Sequence, residues 1–482
     1  MISLNYFQKC LLIEIVVFLG ACGLRLWKLE NIGLPDYDAC KNWMILKEMT
    51  NANFEHIFHH ASPSFYFFFF PFALISTNYL WLEYVNIFFQ VLGLRLLQNV
   101  VLPYSSYRNN IVFLLAGSSC FLVYSSRSIA IESLSLLIFA LWLDAFLKNK
   151  NLRIIFYFGL LFTINYKTLL LIPIIAFFRH NRQDLKFWFW LFTALFAVIV
   201  GYSLLGWILK VSPLNYLKAL YITVIVKNVN PYQHIYHFQT DILYYLKYLY
   251  HFEPLLLSVF LLYSLKKLIG RFSINLDSFQ ERDSQLFTIC ALLFIGMSVL
   301  QKAPRGLLWF YPIAGFLGFD YLCKLIASIS KWILIVCVFV LGTIQTKMIH
   351  RHIWQYANKT HYSEIAKHLP TTHPVRLATT SSLQIAPFLS QNVTIIPCHS
   401  LTCIDSSKAD YILQDEFYKV LRYNFYDSLA AFSNQNPIIC VPEKTLEQPL
   451  LYLEHSEFSG MNYSQTLALF PKATPKVCLY KK

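Results

Sequence analysis

The sequence predicts a polytopic α-helical membrane protein of about eleven transmembrane helices, followed by a small C-terminal α/β domain outside the membrane. Three observations carry that expectation. Hydrophobic residues make up 56% of the chain and charged residues only 14%, far from the usage of a soluble domain. Mostly apolar runs, many of them long enough to cross a bilayer, recur as far as Thr346. From His350 onward charges alternate, prolines recur and the long apolar runs stop.

The formal charge of +14 is uneven. Residues 350–482 hold 12 Lys/Arg against 10 Asp/Glu, leaving 28 against 16 in residues 1–349. The excess sits in short loops between apolar runs, where lipid phosphate and the positive-inside bias account for it, so nucleic acid is not an expected partner.

The first crossing is Cys10 to Trp27, read as an uncleaved anchor because no small-residue cleavage site follows it. A long outer loop runs from Leu29 to about Glu83. Inside it, Phe65 to Phe72 is short, aromatic and broken by Pro71, which fits an interfacial helix lying against the bilayer. Further crossings are Tyr84 to Leu102, Ile111 to Tyr124, Ile129 to Leu147, Ile154 to Ile164, Thr168 to Phe178, Phe187 to Leu209, Glu253 to Leu265, Leu286 to Leu300, Gly306 to Leu322 and Trp332 to Thr346. With the N-terminus inside, the inner loops carry Arg108; Lys148, Lys150 and Arg153; Arg179, Arg182 and Lys186; Lys266, Lys267 and Arg271; and Lys324 and Lys331. Every inner loop is then basic, and the tail falls outside.

Cations near hydrocarbon are costly unless they snorkel or line a polar cavity. Three outer turns present one: Arg127 between Ser126 and Ser128, with Glu132 just inside the next span; Lys167 between two half-length apolar runs; and Arg305 ahead of Gly306. Each has a plain structural reading, as a pair across a helix turn, a snorkelling lysine or a loop cation. Their convergence on one face is the pattern of a site for an anionic lipid headgroup, where Arg grips phosphate bidentately and Lys acts as a point charge. On that face two carboxylates, Asp36 and Asp38, follow the first crossing directly, and either can serve as a general base. His59 and His60 lie later in the same loop, as donors to phosphate or sugar or as surface histidines. Glu14, inside the first crossing, reads as structural. The stretch Lys210 to Tyr250, with Asn230-Pro231-Tyr232-Gln233-His234, is either a cover over lipid or an interfacial connector.

In the C-terminal domain, Val375 to Thr380, Val393 to Ile396, Tyr411 to Gln414, Ile438 to Val441 and Lys476 to Tyr480 read as strands, and Ser363 to His368 and Phe417 to Leu421 as helices. Cys398, Cys403, Cys440 and Cys478 are even in number and suit disulfides in an oxidising compartment. Their spacing is not zinc-like, so no metal is expected there. Asn358, Asn392 and Asn462 open glycosylation sequons that matter only in a eukaryotic host.

Several of these stretches, in this order and on this face, resemble the GT-C glycosyltransferases, the group of protein O-mannosyltransferases and bacterial aminoarabinose transferases. They are Arg25-Leu26-Trp27 followed by Pro35-Asp36-Tyr37-Asp38-Ala39, then His60-Ala61-Ser62-Pro63, Tyr124-Ser125-Ser126-Arg127 to Glu132, Asn165-Tyr166-Lys167 and Pro304-Arg305-Gly306-Leu307-Leu308. Ala39 stands where the family usually has Glu, Ser62 where it has Pro, and Gly306 where Tyr is common. The resemblance implies a GT-C membrane domain over residues 1–349 and an extracytoplasmic domain over 350–482. It implies an inverting transfer of a sugar from undecaprenyl or dolichyl phosphate to a glycolipid, glycan or protein. Asp38, with Asp36, would be the catalytic carboxylate, and Arg127, Lys167 and Arg305, with His59, His60 and Glu132, would bind substrate. No metal ligand is assigned, and Ala39 leaves open whether a divalent cation takes part. The implied location is a bacterial inner membrane with the site on the periplasmic side. Two other functions use the same cations without chemistry: a polyprenyl-phospholipid flippase, for which matched interrupted helices would be the sign, and an inactive relative acting as an assembly partner.

Overall fold

Peptide groups in lipid have no water to bond, so apolar runs of this kind close their hydrogen bonds internally as helices. The computed structural model describes residues 6–31, 33–34, 37–58, 62–103, 107–178, 185–212, 243–271, 282–299, 303–354, 361–379, 383–398, 401–415, 436–442 and 476–482. The first part of the chain is helical: α1 (Tyr6–Leu26), α2 (Tyr37–Thr50), α3 (Pro63–Ile75), α4 (Tyr79–Val101), α5 (Tyr107–Gly117), α6 (Cys120–Ser126), α7 (Ile131–Leu147), α8 (Asn151–Ile164), α9 (Leu171–Phe178), α10 (Leu185–Ile208), α11 (Tyr244–Phe252), α12 (Pro254–Arg271), α13 (Arg282–Val299), α14 (Phe310–Ile329) and α15 (Lys331–His352).

Four of these, α4, α10, α14 and α15, are long and apolar enough to cross a membrane, and α5 with α6 makes a fifth if the pair, bent by 72°, is one span. The chain is therefore a multi-pass membrane protein. Each crossing expected from the sequence falls on a helix, but several, such as the 14-residue α8 and the 8-residue α9, are too short to span unaided. Helix α3 is likewise short at 13 residues, about 20 Å long.

Glycines set how closely the helices approach. A Cβ on Gly93 of α4 would stand 2.9 Å from the Leu137 backbone nitrogen of α7, and one on Gly318 of α14 would stand 2.9 Å from the Val259 carbonyl carbon of α12. Close backbone approach substitutes for a hydrophobic drive that lipid cannot supply. By contrast α10 and α15 leave large apolar side chains exposed, including Phe189, Phe196, Trp207, Trp332 and Phe339, as lipid-facing helices do.

Several inner-loop cations meet at one end of the bundle. Arg108 and Lys324 both contact Asp320, at 3.0 and 2.6 Å, and Lys266 lies 4.5 Å above the Tyr321 ring. Nearby along α4, Arg95 contacts Glu14 and bonds Asn110 at 2.8 Å, which gives that intramembrane carboxylate its structural role.

All strands among the described residues come late: β1 (Val375–Thr379), β2 (Val393–Pro397), β3 (Tyr411–Asp415), β4 (Ile439–Pro442) and β5 (Lys476–Lys481), with short helices α16 (His361–Ala366) and α17 (Leu401–Ser406). They form one sheet in the order β2-β1-β3-β5-β4, parallel across β2-β1-β3 and antiparallel across β3-β5-β4. Each of the five apolar runs read as strands is a strand; the Phe417 to Leu421 helix lies outside the described residues. Cys440 faces Cys478 across β4 and β5 and is bonded to it, while Cys398 is bonded to Cys403. This domain touches the helices through a 3-10 turn, Leu383–Phe388, that packs on α2, and through Phe388 against Tyr79.

Candidate functional site

Helix α2 begins just after the acidic stretch. Asp38 sits in its first turn, where a negative charge complements the helix dipole. Ala39, Trp43, Leu46 and Met49 recur at helical spacing and are buried. The same buried face carries Asn42, whose Nδ2 donates to the Ile129 carbonyl at 2.8 Å while its Oδ1 accepts from the Tyr66 hydroxyl at 2.8 Å. Trp43 donates its indole N–H to the Thr77 carbonyl at 2.8 Å. These bonds fix the rotation of α2 and hence the direction in which Asp38 points.

Arg305 reaches Asp38 from the far end of the chain. Its Nη1 donates to Asp38 Oδ2 at 2.7 Å, with the two side chains 24% and 16% exposed, shielded yet open to a ligand. The turn that carries it, Pro304–Leu307, is clamped on both sides. The Tyr245 hydroxyl donates to the Ala303 carbonyl at 3.0 Å and accepts from the Ala303 N–H at 3.3 Å, and the Tyr311 hydroxyl donates to the Pro304 carbonyl at 2.9 Å.

Arg127 is held differently. It is 2% exposed, its Nη1 donates to the Trp27 carbonyl at 2.9 Å, and its Nε and Nη2 have no hydrogen-bond partner among the described residues. Burial pulls its guanidinium down to about 10, and the buried Glu83 of α4 works against that shift as its charge partner. Asn86, one turn after Glu83, donates to the carbonyls of Ser126 and Ser128 at 2.9 and 2.6 Å. The 126–130 turn is thus tied to α4 by Asn86 and to α2 by Asn42. Arg127 joins the Asp38 neighbourhood through this scaffold, and Glu132 lies buried at the start of α7 beside it.

Lys167 is half-buried in a 3-10 turn, Tyr166–Leu170. Asn165 caps that turn, accepting from the Lys167 N–H at 3.0 Å and donating to Ser135 of α7 at 3.2 Å. Tyr202 of α10 ties the neighbouring ends together: its hydroxyl donates to the Thr163 carbonyl at 2.6 Å and accepts from the Ser64 N–H at 3.2 Å. Asp36, His59 and His60, and the 213–242 stretch with Asn230 to His234, lie outside the described residues. Among the described residues no group of three or more His, Cys, Asp or Glu side chains is placed to hold a metal ion.

The structure therefore joins Asp38 and Arg305 directly and links Arg127 to them through Asn42. The positioning side chains Asn42, Tyr66, Glu83, Asn86, Tyr245 and Tyr311 did not stand out in the sequence. An amide or a carboxylate in a long apolar run was the signal available for Glu83 and Asn86. The tyrosines give none in a chain with 31 of them.

No family model matches this sequence, and no curated protein matches it. Among solved structures the chain is similar to the crystal structure of ArnT from Cupriavidus metallidurans bound to undecaprenyl phosphate, with a TM-score of 0.52 and 10% identity, covering 89% of this chain and 96% of that one. It is also similar to ArnT from Cupriavidus metallidurans in the apo state, with a TM-score of 0.48 and 11% identity over 96% of this chain and 97% of that one. The first likeness shows that the GT-C fold of ArnT is the fold of this chain.

Proposed function

We propose that this GT-C fold works as an inverting glycosyltransferase that moves a sugar from a polyprenyl phosphate to an acceptor hydroxyl on a glycolipid, glycan or protein. The observation that carries the reading is the Asp38–Arg305 contact, which places a carboxylate and a cation side by side from residues 267 apart. The polyprenyl-phosphate partner draws support from the undecaprenyl phosphate bound to ArnT.

The chemistry needs both charges. The acceptor oxygen attacks the anomeric carbon, its proton passes to Asp38, the bond from that carbon to the phosphate oxygen breaks, and the electron pair leaves with the lipid phosphate. A phosphate that draws on the same guanidinium loosens the Arg305 contact and frees the Asp38 carboxylate to take the proton when donor is present. The developing phosphate charge is then met by Arg305 and Lys167, with Arg127 fixing the turn behind them. Asp36, His59, His60 and Glu132 complete the proposed binding set. We place the site and the 350–482 domain on the periplasmic side of a bacterial inner membrane. The pairing of the four cysteines of that domain, Cys398 with Cys403 and Cys440 with Cys478, supports this.

Membranes carrying Asp38→Asn or Arg305→Ala, supplied with a polyprenyl-phosphate-linked sugar, test the assignment. Loss of the base lowers turnover by about 10²–10⁴-fold with donor binding retained. An Asp38→Asn variant that transfers sugar at the wild-type rate removes Asp38 as the base. The buried Ala39, where the resembling family has Glu, favours one second reading, a chain that binds lipid phosphate without transfer. In that case the wild type itself binds donor and moves no sugar.

A further inference from the structure

We propose that the ends of α1 and α4 near Trp27 and Tyr84 form a binding groove for one zwitterionic, amine-headed membrane phospholipid, apart from the Asp38–Arg305 pair. The groove has a volume of about 530 Å3, within the size range of small-ligand sites. Gly23, Leu26, Ile87 and Phe88 line its apolar part. Nothing stands within 4 Å of where a Gly23 Cβ would be, so the floor is open space along the helix. The flank of α1 continues this apolar surface through the exposed Val16 and Leu19, which gives an acyl chain a path down the helix.

The lip is polar and carries both signs of charge. Lys28 and Glu30 line it together with Tyr84, and both are exposed. Neither Lys28 nor Glu30 has a side-chain hydrogen bond or ion pair among the described residues. Lys28 adopts a left-handed backbone (φ 56°), a conformation a lysine takes up at a cost, so the turn is held where it is by its surroundings. Those surroundings are rigid. The Trp27 carbonyl accepts from Arg127 at 2.9 Å, the Trp27 ring lies 6.1 Å from that of Trp354, and Arg25 is anchored to Gln90, Ala21 and Gly117 by bonds of 3.1, 2.9 and 2.7 Å. The groove is therefore formed before any ligand arrives.

A cation and an anion two residues apart, each without a side-chain partner among the described residues, match a headgroup with a phosphate and an ammonium. Lys28 and the Tyr84 hydroxyl take the phosphate, and Glu30 takes the amine. A headgroup with phosphate alone meets Glu30 as a like charge, which supplies the discrimination.

The test is native mass spectrometry of the detergent-purified full chain titrated with phosphatidylethanolamine or phosphatidylglycerol of identical acyl chains. The wild type retains the ethanolamine lipid about two- to five-fold more tightly, the scale of one partly exposed headgroup ion pair. Glu30→Lys, at an exposed position, reverses that preference, and Gly23→Phe fills the floor and removes one bound lipid of either kind. Equal retention of the two lipids by the wild type overturns the proposal, and so does a folded Gly23→Phe chain that keeps its full lipid count. If Gly23→Phe does not fold, the Glu30→Lys comparison decides alone, an unchanged preference overturning the proposal.

Discussion

At position 306 a side chain would have to share space with Tyr245. A Cβ there would stand 2.5 Å from the Tyr245 hydroxyl and would also meet the Met297 terminal methyl. Gly306→Ala is expected to cost about 1–3 kcal/mol in thermal unfolding of the detergent-solubilised protein. Tyr245→Phe removes one of the two obstructing atoms but also both hydrogen bonds to Ala303, so in the same background it should lower the melting temperature further. Arg127 and Glu83 give a second expectation. Arg127→Ala removes a buried cation that Glu83 stabilises and that donates to the Trp27 carbonyl, and should cost about 3–5 kcal/mol, read from the same melt. Arg127, Lys167 and Arg305 stood out in the sequence because a charge beside hydrocarbon is costly, although each also had a plain structural reading. Asn42 and Tyr245 did not, because their partners are 87 and 58 residues away and nothing local marks them.

Helices and strands were easier to read than their uses. Short apolar runs located the five strands among the described residues, and longer apolar runs located the helices, because burial in a sheet or in lipid leaves its mark on composition. The number of crossings was harder, since α8, α9 and the α5–α6 bend are short pieces whose polar ends are satisfied by neighbours such as Asn165 on Ser135 and Glu253 on Ser119. Helix packing follows from glycines that composition alone does not place. Gly93→Ala pushes a methyl into the α7 backbone at Leu137, where no flexible side chain can yield, so the helices must separate. A loss of about 1–3 kcal/mol is expected, measured by the same detergent melt, whereas Gly342→Ala in α15, with nothing within 4 Å, should be close to neutral.

Across the whole molecule, the late domain rests on the helix that carries Asp38, through Leu383–Phe388 on α2. Cys478→Ala unties β4 from β5 and is expected to lower the stability of the sheet by about 2–4 kcal/mol. Limited proteolysis should then cut the 375–481 region while the helices stay intact. Asp38 leaves the ribosome 267 residues ahead of Arg305. At ordinary elongation speeds that is a wait of roughly 15–50 s, during which Asp38 is without its Arg305 contact. Nascent chains halted before residue 305 can already seat α2 through Asn42 and Trp43, so what the order of synthesis sets is when the two charges first meet.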